Sequence, residues 1–136
     1  MAPFDATSPM QELAQRIAAI EEAYEFMLAY AAQGRRNEQN APEPGIRSFL
    51  GRMDAALDGI GEVAAEAGRL KSAGPVAAVV AILAEDARKA RILVQFVQDR
   101  PAVSSQLVDN LNASIHLRSV LTDLFLIDEG LKIGEV

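Results

Sequence analysis

Residues 8–31, SPMQELAQRIAAIEEAYEFMLAYA, decide the fold, because Met10, Leu13, Ile17, Ile20, Tyr24, Met27 and Ala31 recur in alternating steps of three and four. That period places all seven on one side of an α-helix and leaves a polar side opposite. Ser8-Pro9 opens the segment in the expected way. Serine caps, proline is favoured at the first helical position, and Gln11 stands where a capping box wants it. Gly34 ends the run.

Three further segments repeat the pattern. Ile46, Phe49, Met53, Leu57, Ile60, Ala64 and Ala67 form a stripe that predicts a helix over about 46–70. Its interior glycines, Gly51, Gly59, Gly61 and Gly68, cost helix propensity and allow two readings: close backbone approach to a neighbour, or a broken helix around Gly59 to Gly61. After the short turn Ser72-Ala73-Gly74-Pro75, the stripe Val76, Val80, Leu83, Ala87, Ala90, Val94 and Val97 predicts a third helix over about 75–98. Arg100-Pro101 stops it. Ser104 or Ser105 caps a fourth over about 104–129, with Val103 and Val108 placed as a hydrophobic staple and Gly130 as the terminator. The polar, proline-bearing stretch 35–45 reads as a flexible loop. Short connections make neighbours antiparallel, so the expectation is all-α: one domain across residues 1–136, a four-helix up-down-up-down bundle.

Composition narrows the chemistry. The chain of 136 residues carries 13 basic and 19 acidic side chains for a net charge of −6, which disfavours nucleic acid and anionic lipid as partners. It has no cysteine, hence no disulfide, thiolate nucleophile or Cys-held metal. The start carries no secretory pattern, and the apolar run Ala73 to Ala84 is shorter than the roughly 20 residues a bilayer requires. A cytoplasmic protein with no membrane span is expected. Arginine-over-lysine and alanine-rich usage fits a GC-rich bacterial genome.

Few residues could carry chemistry. His116, the single histidine, lies on the helical stripe Asp109, Asn112, His116, Ser119, Asp123, which could position it as a base or phosphoacceptor. The residues after it, Leu117-Arg118-Ser119-Val120, lack the lysine and glycine expected of a bundle-type phosphotransfer site. The carboxylates Glu21, Glu22, Glu25, Glu62, Glu66, Glu85 and Asp86 read as a charged outer face, and one histidine cannot furnish a paired di-metal motif. Arg88, Lys89 and Arg91 interleave with Glu85 and Asp86 as intrahelical ion pairs. Met10, Met27 and Met53 read as packing. No metal or cofactor is expected.

The feature above background is surplus apolar surface. Phe26 to Ala32, Val76 to Ala84 and Leu117 to Ile127 are apolar nearly all round, and in an antiparallel bundle the last two meet at one end. A homodimer through the third and fourth helices follows, its contact expected from Val76, Val79, Val80, Leu117, Val120, Leu121, Leu124, Phe125 and Ile127. The function expected first is a non-enzymatic interaction protein, an accessory, chaperone-like or regulatory partner of another protein. A binder of small hydrophobic ligands comes second, and an enzyme or phosphotransfer protein using His116 third.

Overall fold

The computed structural model describes Phe4, residues 8–70 and residues 75–132. Among these residues there are six α-helices and no strand: α1 Pro9–Ala31, α2 Ile46–Leu57, α3 Ile60–Leu70, α4 Val76–Gln98, α5 Ser105–Ala113 and α6 Ile115–Leu131. The all-helical expectation holds, while the count of four does not, because the second and fourth segments are each broken once. The turn expected at Ser72 to Gly74 lies outside the described residues. No helix among the described residues is long and apolar enough to cross a membrane.

Both breaks have local causes. Gly59 takes φ +75°, a left-handed value that suits glycine and cannot continue a helix. At the other break Ser114 turns extended, at φ −59° and ψ 131°, and its Oγ accepts from His116 N–H at 3.2 Å. A serine that caps the following turn in this way competes with the helix it interrupts. Gly130, expected as a terminator, lies inside α6, and the left-handed cap falls on Lys132 instead.

The end of α2 made by the break, and the end of α4, need partners for their last carbonyls. Neither α2 nor α4 has a basic residue in its last turn. Arg16 of α1 reaches across to the end of α2, donating through Nη1 to the carbonyls of Ala55, Ala56 and Asp58 at 3.3, 3.1 and 2.5 Å. Arg47 of α2 does the same for α4, donating to Gln98 and Arg100 carbonyls at 2.6 and 2.7 Å. Arg47 also pairs with Glu38, whose Oε1 accepts from Val103 N–H at 3.1 Å. The stretch 35–45, read as a flexible loop, is thereby tied at several points: Arg35 N–H donates to Ser105 Oγ at 2.8 Å, and Ser105 Oγ donates to the Tyr30 carbonyl at 2.7 Å. Ser104 is the cap of α5, and Val103 and Val108 are both buried, as the staple requires.

The two 23-residue helices organise the packing. α1 lies against α2, α3 and α5, and α4 lies against α2, α3, α5 and α6. The backbones of α1 and α6 rarely come within 8 Å, so α6 rests mainly on α4. Close approach between α3 and α4 depends on small residues. A Cβ built at Gly61 would stand 2.7 Å from Ala84 Cβ and 3.2 Å from its Cα, and one at Gly68 would stand 2.4 Å from Val76 Cγ1. Both readings of the glycines therefore apply, at different positions: Gly59 breaks the helix, and Gly61 and Gly68 let it approach α4.

Gly61→Ala should gain about 1 kcal/mol of helix propensity but lose about 1–3 kcal/mol to overpacking against backbone that cannot yield, a net loss. Gly130→Ala meets nothing within 4 Å and should gain up to about 1 kcal/mol. Urea unfolding of the two variants should move the midpoint in opposite directions.

Candidate functional site

The polar stripe read across the fourth segment does not survive the break at Ser114. Asp109 is exposed on α5, whereas Asn112 is buried, its Nδ2 donating to the Met27 carbonyl at 3.1 Å. His116 is exposed on the first turn of α6, and no side-chain hydrogen bond or ion pair joins it to Asp109, Asn112 or Asp123. The stripe is thus a buried packing residue, two solvated groups and, on α6, a half-buried serine and a half-buried carboxyl. Its spacing assumed one uninterrupted helix.

The remaining member, Asp123, belongs to a different constellation. It lines a groove between α4 and α6 with Asp86, Ile115, Arg118, Ser119 and Thr122. Burial, and then the adjacent Asp86 carboxyl, push Asp123 up to about 7 from the ordinary aspartate range. Sequence reasoning placed Asp86 and Asp123 in separate charged sets. Only the packing of α6 on α4 pairs them.

Other charges are engaged elsewhere. Arg88 pairs with Glu85 at 2.7 Å within α4, as expected, but Arg91 crosses to α2, meeting Asp54 at 2.9 Å and Asp58 at 3.1 Å. Glu22 pairs with Arg52 of α2 at 3.5 Å. Among the described residues no three of His, Asp and Glu gather as metal ligands.

The apolar surplus divides sharply. Of the nine residues expected at a contact face, Val80, Leu117, Val120, Leu121, Leu124 and Ile127 are buried in the core, Val76 is half-buried, and Val79 and Phe125 face outward. Those six inward residues are the inner stripes by which α4 and α6 hold to the rest of the chain, so they are not available as surface. The outward set contains residues the sequence reading passed over: Ile82, Ile92 and Phe96 on α4, and Ile115 and Leu126 on α6, each more than half exposed. The two helices meet as expected at one end, where Pro75, Val76, Val79, Leu126, Ile127, Gly130 and Leu131 line an apolar groove of about 200 Å³.

A single row organises the α4 part of this face. Val79, Ile82, Asp86, Lys89, Ile92 and Phe96 follow one another in steps of three or four, so all six lie along one side of α4. The signal was present in the sequence, one position before the core stripe except at Ile92, which stands two before Val94. It was hidden by the stronger inner period.

Compared with known proteins, the chain matches no family model, no curated protein and no solved structure.

His116→Ala should leave thermal stability unchanged, because its side chain holds nothing. Asn112→Ala should cost about 1 kcal/mol, since it removes a buried hydrogen bond to the Met27 carbonyl while relieving the unpartnered Asn112 Oδ1. A thermal melt of each variant separates the two roles that the stripe had joined.

Proposed function

We propose that the chain is a non-enzymatic interaction protein that pairs with a second copy of itself through the outer face of α4 and α6. Within that reading α2–α3 and α5–α6 are taken as two bent rods, which with α1 and α4 make an up-down-up-down bundle. The observation that carries the proposal is the order of the row on α4: two apolar residues, an acid, a base, two apolar residues. Its two halves mirror one another about a point between Asp86 and Lys89. A two-fold contact brings the same patch of each copy together in reverse order, so a surface must be complementary to its own reversal. Laid antiparallel on its copy, α4 would set Val79 against Phe96, Ile82 against Ile92, and Asp86 against Lys89 of the second molecule. From Val79 to Phe96 the row rises by 17 steps, about 25 Å at 1.5 Å per residue. Ile115 and Leu126 on α6 widen the apolar area beside it.

Energetics favour covering this face. Each of these Ile, Leu or Phe side chains, already about half covered, stabilises association by roughly 1–1.5 kcal/mol when removed from water, and several must act together to exceed the cost of immobilising two molecules. The hydrophobic-ligand alternative has less support, since the apolar groove at the end of α6 holds about 200 Å³, below the roughly 300–1,000 Å³ usual for small-molecule sites, and the larger groove of about 480 Å³ is lined mainly by polar and charged side chains.

Light scattering after size exclusion at tens of micromolar should give a dimer for the wild type. Ile82→Asp and Phe96→Asp should weaken pairing at least tenfold and leave helical monomers, whereas Leu124→Asp, buried in the core, should unfold the chain. A monomeric wild type would remove the reading.

A further inference from the structure

The Asp86 and Asp123 carboxyls meet in the groove between α4 and α6 under an unusual condition. Asp123 Oδ2 is closed off from solvent, and no donor in the protein reaches it. A buried carboxylate oxygen left in that state costs free energy. Its neighbour is the Asp86 carboxyl, an acceptor when ionised. The oxygen is satisfied only if it carries a proton, in which case Asp123 Oδ2–H donates to Asp86. Removing the proton sets two like charges side by side, and it does so across the contact with α4 that chiefly supports α6.

Surrounding charges do not cancel this pair. On α4, Glu85 is engaged by Arg88 at 2.7 Å and Lys89 lies beside Glu85. On α6, Arg118 lines the groove, but among the described residues it forms no ion pair with either carboxyl, and His116 stands outside the lining. The sole charged residue of α5, Asp109, is exposed and also outside it.

We propose that the proton shared by Asp86 and Asp123 is a latch: its presence fastens α6 to α4, and its loss loosens α6 while the other helices stay packed. This makes the α4–α6 contact a pH-sensitive switch built into the single chain; in the proposed pair, Lys89 of the second copy would stand against Asp86 and weaken it, so the latch is tested on the monomer. Asp123 in the folded chain releases its proton near pH 7, whereas an unfolded aspartate does so near 3.8. A group raised in this way contributes its full stabilisation below the unfolded value. That contribution declines as pH climbs toward 7 and is gone above it, at a limiting slope of about tenfold per pH unit.

Amide hydrogen exchange, corrected for the intrinsic pH dependence of exchange, reads the latch directly. It should be run at a dilution where light scattering gives the monomer mass throughout the pH range, so that no Lys89 of a second copy faces Asp86. In the wild type, α6 amides should lose up to about tenfold in protection per pH unit from pH 5 to 7 and level off above, while α1 amides stay constant. Asp123→Asn keeps a donor toward Asp86 that does not titrate, so its α6 protection should be flat. Asp86→Asn donates to Asp123 from the other side and removes the like charge, leaving only the burial of Asp123, so its α6 protection should fall less steeply than the wild type's, which serves if the first variant fails to fold. Wild-type α6 protection that is as flat as in Asp123→Asn, or falls no more steeply than in Asp86→Asn, would overturn the latch, and so would an equal loss in α1.

Discussion

A helix that stops inside a protein leaves carbonyls that neither water nor its own chain can satisfy, and in this fold two arginines from neighbouring helices answer that need. Arg16 closes the end of α2, and Arg47 closes the end of α4. The guanidinium suits the task because its several N–H groups can serve carbonyls that point in slightly different directions, and its positive charge complements the negative end of the helix. Each such cap also fixes position. Arg16 binds α1 to the bend between α2 and α3, and Arg47 with Glu38 binds the 35–45 connection to the junction of α4 and α5. Without these caps the end of α2 at its bend and the end of α4 would each lack donors for their last carbonyls.

The bends in turn decide which helices can be neighbours. Because α3 restarts after Gly59, Gly61 and Gly68 meet α4 at Ala84 and Val76, where any larger side chain would intrude. α6, restarted at Ser114, lies along α4 and keeps its distance from α1. One helix therefore serves as the common support. The inner stripe of α4, Val80, Leu83, Ala87, Ala90, Val94 and Val97, is wholly taken up by the core, which leaves its outer side open.

How much of this was legible in the residues depended on the range of the interaction. Local period gave the helical class, the caps Ser8 and Ser104, and the core stripes, since each is fixed by neighbours within a turn or two. Gly59 to Gly61 carried a visible warning of the break. Ser114 carried none, because serine within a helix is common and its capping of His116 N–H depends on the backbone turning first. That one unseen bend undid the stripe through Asn112 and His116. The pairing of Asp86 with Asp123, like the reach of Arg16 and Arg47, joins residues 37, 40 and 51 positions apart and has no sequence signature at all.

The outer face of α4 was misassigned for a different reason. The reading took apolar excess in the last helix as surface, yet Leu117, Val120, Leu121 and Leu124 are what a helix resting on a single main neighbour must bury to stay attached. A helix held on fewer sides needs a larger inner stripe, so abundance of apolar residues on α6 measures its attachment before it measures its availability. α4 is in the opposite position. It is packed by four other helices and has its inner stripe satisfied by small residues at 87 and 90. Apolar residues left outside on such a helix serve no internal contact. Ile82, Ile92 and Phe96 are therefore the stronger mark of an external one, and it is their mirrored order about Asp86 and Lys89 on which the proposal of a second copy rests.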